Sequence, residues 1–352
     1  MTRLAGLLGA GIVAAICVGH DIAGRAIAGP ALILPEVVLV SGFAPGGGDG
    51  QGGNARQAGA MQLRPQPVYD LTIRLYARHF GRFIPGSPKV LIRHIPGAGS
   101  LRAARWLYAN TQANGAVLGA VSGQALSQMI LKGEMSAGRL PGIVGGRTGG
   151  EYICASRIGR ESARQLQLFG ATAPRERTFL HARAIADSGL VPLKIITGYA
   201  NSVQIALAFR RGEVDGFCGL SASSVRSQLG DLIVAGKLTP LLRFAPLDTG
   251  SLPQIPRASE MAGRKQLPAI MRSGLAFLEL QGTIDYALLA PPDMNAGTMA
   301  VLQRAYSAML KDAVFRREAV RWSLDLDPVD ADTIAAAMQH MIAIAPKART
   351  SN

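Results

Sequence analysis

The chain has 352 residues, of which 48% are hydrophobic, 17% charged and 5% aromatic, and it carries a formal net charge of +14. This is a globular composition, long enough for one large core or two modest ones. The positive charge favours anionic partners, yet the basic residues are scattered in ones and twos without zinc-ligand spacing or a recognition-helix pattern, which excludes nucleic acid as the partner.

Met1-Thr-Arg3, the apolar run from Leu4 to Gly19 and the small-residue stretch Ala26-Ile-Ala-Gly-Pro30 have the three regions of a secretory signal peptide over residues 1–28, with cleavage after Ala28. A retained membrane anchor is the alternative, although about sixteen apolar residues are short for a span. Cleavage removes two cations, Arg3 and Arg25, and one anion, Asp21, and so takes the net charge from +14 to +13. It also removes Cys17. Cys154 and Cys218 then remain in apolar surroundings, either as a disulfide made in an oxidising compartment or as two buried thiols.

Residues 36–41 read as a strand that runs into the glycine-rich turn Gly42-Phe-Ala-Pro-Gly-Gly-Gly48. The helix expected after it, over residues 69–83, is displaced by residues 49–68, a polar stretch rich in Gly and Gln that reads as a loop insertion. Asp70 then stands in the first helical turn, where a carboxylate caps N–H groups. Residues 90–95 form a strand, Pro96-Gly-Ala-Gly99 a turn, and Leu101, Ala104, Leu107 and Tyr108 recur at helical spacing. This junction is suited to an anion: the first helix N–H groups lack an internal partner, the helix dipole is positive there, and Gly97 and Gly99 let a ligand approach the backbone.

A strand over residues 116–122 and a helix over 124–132 follow, and the Gly-rich residues 140–150 read as a crossing between domains. Beyond it come strands at 151–156 and 166–174, a helix at 178–187, a strand and small-residue turn at 193–202, a helix at 203–211, and strands at 214–223 and 238–244. Residues 246–268 read as a Pro-containing connector and 285–292 as a strand. Met299, Leu302, Tyr306, Met309 and Leu310 mark one closing core helix, and Ile334, Met338, Met341 and Ile342 a second. Strand and helix alternate, which predicts a parallel α/β sheet.

Phe43-Ala-Pro-Gly-Gly-Gly48, Tyr69-Asp70, Ile95-Pro-Gly-Ala-Gly99 with Ala103-Ala104 and Leu107-Tyr108, Asn114-Gly115, Gly170-Ala-Thr172, Gly198-Tyr199, Arg211-Gly-Glu-Val-Asp-Gly216 and Ala290-Pro-Pro292 are spread over nearly the whole chain. In this set and order the chain resembles the extracytoplasmic solute receptors of tripartite tricarboxylate transporters, the periplasmic Bug or TctC receptors. The resemblance implies a two-domain α/β periplasmic-binding-protein fold of the type II kind, each domain a mostly parallel sheet flanked by helices, with the ligand in the cleft between. Domain 1 would comprise residues 29–145 and 246–352, and domain 2 residues 146–245. It further implies a monomeric periplasmic receptor without a cofactor, which captures a di- or tricarboxylate or related organic acid and delivers it to membrane transporter subunits.

Carried over by position, the ligand-binding residues are Ala44, Pro45, Gly46, Gly47, Gly48 and Asp70 on the first loop, and Gly97, Ala98, Gly99 and Ser100 on the second. Across the cleft they are Thr172, Ala173, Tyr199, Ser202 and Ser221. Several helix N-termini converging on one cleft suit a carboxylate without any buried Arg. Arg175 and Arg177 stand where the family's turn is glycine-rich: one reading pairs either of them directly with the ligand, and the commoner one for long basic side chains leaves them solvated.

The enzymatic patterns are incomplete. Gly97-x-Gly99 resembles a dinucleotide fingerprint, but Arg102 replaces its third glycine and no acidic residue follows about twenty positions on. Gly219-Leu-Ser-Ala-Ser223 approaches a nucleophile elbow without its final glycine, which leaves a secreted α/β hydrolase acting on a small ester as the alternative function. His79, His94, His181 and His340 are isolated and read as surface or helix residues, with no metal-ligand spacing among them.

Overall fold

The computed structural model describes residues 34–45, 68–110, 117–157, 159, 166–174, 176–245, 254–322, 324 and 326–349. The signal peptide, Gly46, Gly47, Gly48, the insertion up to residue 67, Asn114-Gly115 and Arg175 lie outside the described residues.

The chain first builds β1 (Glu36–Ser41), α1 (Val68–His79), a 3-10 turn (Phe80–Phe83), β2 (Lys89–His94), α2 (Leu101–Ala109), β3 (Val117–Ser122), α3 (Gly123–Leu131) and β4 (Pro141–Arg147). It then crosses to β5 (Tyr152–Arg157), β6 (Gln167–Gly170), α4 (Arg177–Asp187), β7 (Leu193–Ile196), α5 (Ser202–Arg211), β8 (Gly216–Ser221), α6 (Ala222–Val234) and β9 (Leu238–Phe244). The return runs through α7 (Ala258–Arg264) and α8 (Ala269–Thr283) to β10 (Tyr286–Pro292), α9 (Ala296–Lys311), α10 (Ala313–Arg321), β11 (Pro328–Val329) and α11 (Ala331–Arg349). Local chemistry sets many of the boundaries. The side chains of Ser122, Asn201, Ser221, Asn295 and Asp312 each accept a backbone N–H at the start of the following helix, and Gly212 ends α5 at φ 78°.

Two sheets result, one of order β11-β4-β10-β3-β1-β2 and one of order β7-β6-β8-β5-β9. This is an α/β architecture, but the sheets are mixed rather than mostly parallel. β2, β1 and β3 run parallel, β3 and β4 point the same way, and β10 lies between them in the opposite direction. In the second sheet β5 is inserted in the same manner between β8 and β9. The reason is where the chain crosses. It leaves the first sheet at the strand end that carries Arg147 and enters the second at Tyr152, which pairs with Ser221 at the end of β8. A strand that starts at the edge where its neighbours finish has to run antiparallel to them.

Each sheet buries apolar side chains on both faces. Val37, Leu39, Leu118, Leu288 and Tyr286 face α1, α9 and α10, and Val40, Val121, Ala287 and Leu289 face α2, α3, α8 and α11. In the second sheet Ile153, Phe217 and Leu220 pack with α5 and α6, and Cys154, Phe169, Cys218 and Phe244 pack with α4 and α7. Leu275 and Phe277 of α8 belong to the second and the first core respectively, so this helix ties the two together. Cys154 and Cys218 are joined by a disulfide between β5 and β8, where Gly219, at φ 77°, forms a bulge with the start of α4 directly above it.

Three regions differ from the sequence expectation. The Gly-rich residues 140–150 contain a buried strand, β4, and the crossing shrinks to residues 148–151. Glycine is needed in β4 because neighbours press onto its backbone: a Cβ on Gly145 would lie 2.3 Å from the Tyr306 ring, and one on Gly142 2.7 Å from Met299 Sδ. The connector 246–268 contains α7, whose Ala258 and Ala262 pack in the second core, and the return adds α8 and α10.

Two outcomes follow from this packing. Gly145→Ala should cost about 1–3 kcal/mol in urea unfolding through overpacking, whereas Gly138→Ala, where nothing lies within 4 Å, should be neutral. The double variant Cys154→Ala/Cys218→Ala opens a cross-link spanning 64 residues and should lose up to about 4 kcal/mol, read from the same unfolding curves.

Candidate ligand cleft

The parallel strands β1, β2 and β3 end at Ser41, His94 and Ser122, and β6, β7 and β8 end at Gly170, Ile196 and Ser221. The crossing joins these two edges, so the ends of the strands, and the helix starts that follow them, confront each other. Between them lies a cavity of about 40 Å³, lined from the first sheet's side by Tyr69, Ser122, Gln124, Ile284 and Asp285, from the second by Tyr152, Arg177 and Leu180, and from α8 by Leu278, Gln281 and Gly282. Tyr69, Gln124 and Arg177 each stand in the first turn of their helix, α1, α3 and α4. The first turns of three helices, where the helix dipole is positive, therefore border one cavity.

The polar centre of the cavity is Asp285, the residue just before β10. Its Oδ1 accepts the Tyr69 hydroxyl at 2.9 Å, its Oδ2 pairs with the Arg147 guanidinium at the end of β4, and Arg177 Nη2 stands 3.8 Å from Oδ1 across the cleft. Arg177 also lies over the Tyr152 ring, 4.0 Å from its centroid. The Asp285 side chain is 8% exposed and that of Arg177 41%, so the carboxylate is held inside while the guanidinium keeps access to solvent. Burial pushes the Tyr152 hydroxyl up to about 12 against the pull of Arg177. Burial, and then the Asp285 charge, raises Tyr69 well above its ordinary 10.0. Both phenols are hydrogen-bond donors at neutral pH.

The sequence-derived ligand residues sit on the same strand edges, but none of the described ones lines the cavity. Ala44 and Pro45 continue from Phe43, whose ring stacks on Tyr69 at 4.2 Å and 6°. Asp70 is buried and bonds Arg74 Nε at 2.9 Å. Gly97, Ala98, Gly99 and Ser100 form a run of four positive φ values that turns the chain into α2. Ser100 is buried, accepts the Ser122 N–H at 2.9 Å, and leaves no room for a side chain on Gly42. Thr172 is occupied by Thr178, hydroxyl to hydroxyl at 2.7 Å, with Ala173 beside it. Tyr199 packs against Gly170, Ser202 begins α5, and the Ser221 hydroxyl caps α6 and donates to Ser224 at 2.8 Å. Gly46, Gly47 and Gly48 lie outside the described residues.

Of the two readings open for Arg177, the structure pairs it rather than leaving it merely solvated: the fold brings it to a carboxylate 108 positions away in the sequence. Ser122, Gln124, Tyr152 and Asp285 line the cavity without having been singled out in the sequence, and Arg147 stands behind Asp285. One signal was present. Glu151-Tyr152 and Asp285-Tyr286 are both an acid followed by a Tyr at the start of a strand, and each acid is paired with an Arg near the end of a neighbouring strand, Arg243 and Arg147.

Among the described residues no group of three His, Cys, Asp or Glu side chains could hold a metal ion, and no helix is long and apolar enough to cross a membrane. No protein-family model matches the chain, and no curated protein matches it by sequence. Among solved structures, a TctC solute binding protein from Polaromonas matches with a TM-score of 0.61 at 14% identity, over 90% of this chain and 98% of that one. MatC from Rhodopseudomonas palustris with bound malate matches at 0.49 and 15%, over 90% and 99%, and a second R. palustris protein with adipate at 0.49 and 15%, over 90% and 96%. The first of these likenesses shows that the chain shares the fold of that protein.

Behind the cleft, His181 of α4 is 2% exposed, stacks on Phe244 at 3.9 Å, and its Nδ1 has no hydrogen-bond partner among the described residues. Burial, and second the Arg177 charge, holds its pKa well below the ordinary 6.5. The unfolded chain takes up a proton as the pH falls through that value and the folded chain does not, so stability is lost below it, by about 1.4 kcal/mol per pH unit. Urea unfolding of wild type against His181→Phe between pH 7 and pH 5 should show the steeper loss in wild type; equal slopes would remove His181 as the cause.

Proposed function

We propose that this chain is a periplasmic receptor that captures a small organic carboxylate in the cleft and delivers it to membrane transporter subunits, working as a monomer. The observation that carries the reading is the convergence of three helix N-termini and the Arg177 guanidinium on one cavity between two facing strand edges. Such an array is suited to a carboxylate. The fold shared with a TctC solute binding protein agrees with this role.

In this reading each sheet with its helices is one domain, and the boundary on the return path falls within α8, which contributes to both cores. The cavity of about 40 Å³ has room for only a few water-sized groups, so an acid enters by parting the two edges and is enclosed when they close. The residues inherited by position, from Ala44, Pro45 and Asp70 to Gly97, Ala98, Gly99, Thr172, Ala173, Tyr199 and Ser202, would then flank the entrance on the two edges.

Calorimetry of the secreted chain against mono-, di- and tricarboxylates and aromatic acids tests the proposal. At least one acid should bind, and Arg177→Gln should weaken it about ten- to hundred-fold, the loss expected for a charge-assisted hydrogen bond. No binding across that panel, together with turnover of a small ester, would replace the receptor reading with the hydrolase. An unchanged affinity in Arg177→Gln would take the ligand away from this cavity.

A further inference from the structure

The charges inside the cleft specify which carboxylates it accepts. Among the described residues lining the cavity, the charged side chains are Arg177 and Asp285, and Arg147 stands directly behind Asp285. Asp285 is the close partner of Arg147, whereas Arg177 reaches it only at 3.8 Å from the other side of the cleft. Asp285 thus has its close cation in Arg147, and Arg177 is the cation that borders the cavity itself.

We infer that Asp285 is a charge-selecting residue that restricts the receptor to small monocarboxylates and rejects di- and tricarboxylates. The inference rests on the receptor reading given above. A ligand carboxylate bound to Arg177 gives that guanidinium a close anion and takes further donors from the start of α4. A second carboxylate on the same ligand is held within the same enclosed space as Asp285, where two like charges repel strongly because little water screens them. Among the described residues the remaining walls bring no further charged side chain: the Tyr69 hydroxyl donates to Asp285, Ser122, Gln124 and Gln281 offer neutral polar groups, and Leu180, Leu278, Ile284 and the face of Tyr152 are suited to a hydrocarbon tail.

Asp285 occupies Arg177 loosely, as a ligand carboxylate would do more closely, so an entering monoanion displaces an internal contact rather than inserting into a bare positive site.

The test uses ligands with the same carbon skeleton and different charge. Butyrate and succinate, and as a larger trianion citrate, are titrated into the full secreted chain and into Asp285→Asn. Wild type should bind butyrate at least about tenfold more tightly than succinate, and Asp285→Asn should raise succinate affinity relative to butyrate by a similar factor. Circular dichroism and the thermal midpoint establish that the variant folds. If it does not, the wild-type butyrate-to-succinate ratio alone decides. Tighter binding of succinate or citrate than of butyrate by wild type, or a ratio unchanged in a folded Asp285→Asn, overturns the charge selection while leaving the receptor intact. Failure of all three acids and of the wider panel overturns the receptor reading itself.

Discussion

The contact on which the rest of this structure depends is the pairing of an acid at the start of each inserted strand with an arginine near the end of a neighbouring strand. Asp285 with Arg147 secures β10 to β4, and Glu151 with Arg243, at 2.5 Å and almost fully buried, secures β5 to β9. Breaking such a pair by removing one partner leaves an uncompensated charge and costs about 3–5 kcal/mol. Backbone bonds accompany both. The Asp285 carbonyl accepts the N–H of Gly123 at the start of α3, and the Glu151 carbonyl accepts that of Ala222 at the start of α6. Each pair therefore fixes a crossing strand and the helix start beside it in one arrangement.

From this follows the placement of the cleft. Because the chain crosses at the strand ends, the loops and helix N-termini that follow those ends are brought face to face. Short crossings keep the two edges near each other: Gly149 N–H and the Thr148 hydroxyl both donate to the Gly282 carbonyl at the end of α8, which joins the outward crossing to the return. The Asp285–Arg147 pair belongs at once to the scaffold and to the cavity. Arg177, on α4 beside the second sheet, reaches the same Asp285 carboxylate from the other side at 3.8 Å.

Much of the fold was legible in the chain. The strands that run into small-residue turns and the helices with apolar residues at helical spacing appear where the periodicity placed them, since both signals are local. β4 was hidden because its glycines, which usually mark a turn, are there to admit Tyr306 and Met299 against the backbone. α7 and α10 are short, and their boundaries depend on which core they cover. The site was legible only in outline. The glycine loops do lie at the strand edges, but Ser100, Thr172 and Ser221 use their hydroxyls to hold helix starts and turns in place.

What the sequence by itself determined was the alternation of strand and helix, the small-residue turns at strand ends, and a positive charge suited to an anionic ligand. These are consequences of spacing and of each residue's own conformational preferences. Only the tertiary structure decided that the two sheets are mixed, that Cys154 meets Cys218, and that Arg177, Tyr69 and Arg147 surround Asp285. Those residues are separated by long stretches of chain, and what joins them is where β5 and β10 enter their sheets. That entry is fixed by burying both faces of each sheet and by satisfying charges at the crossings, which no local pattern records.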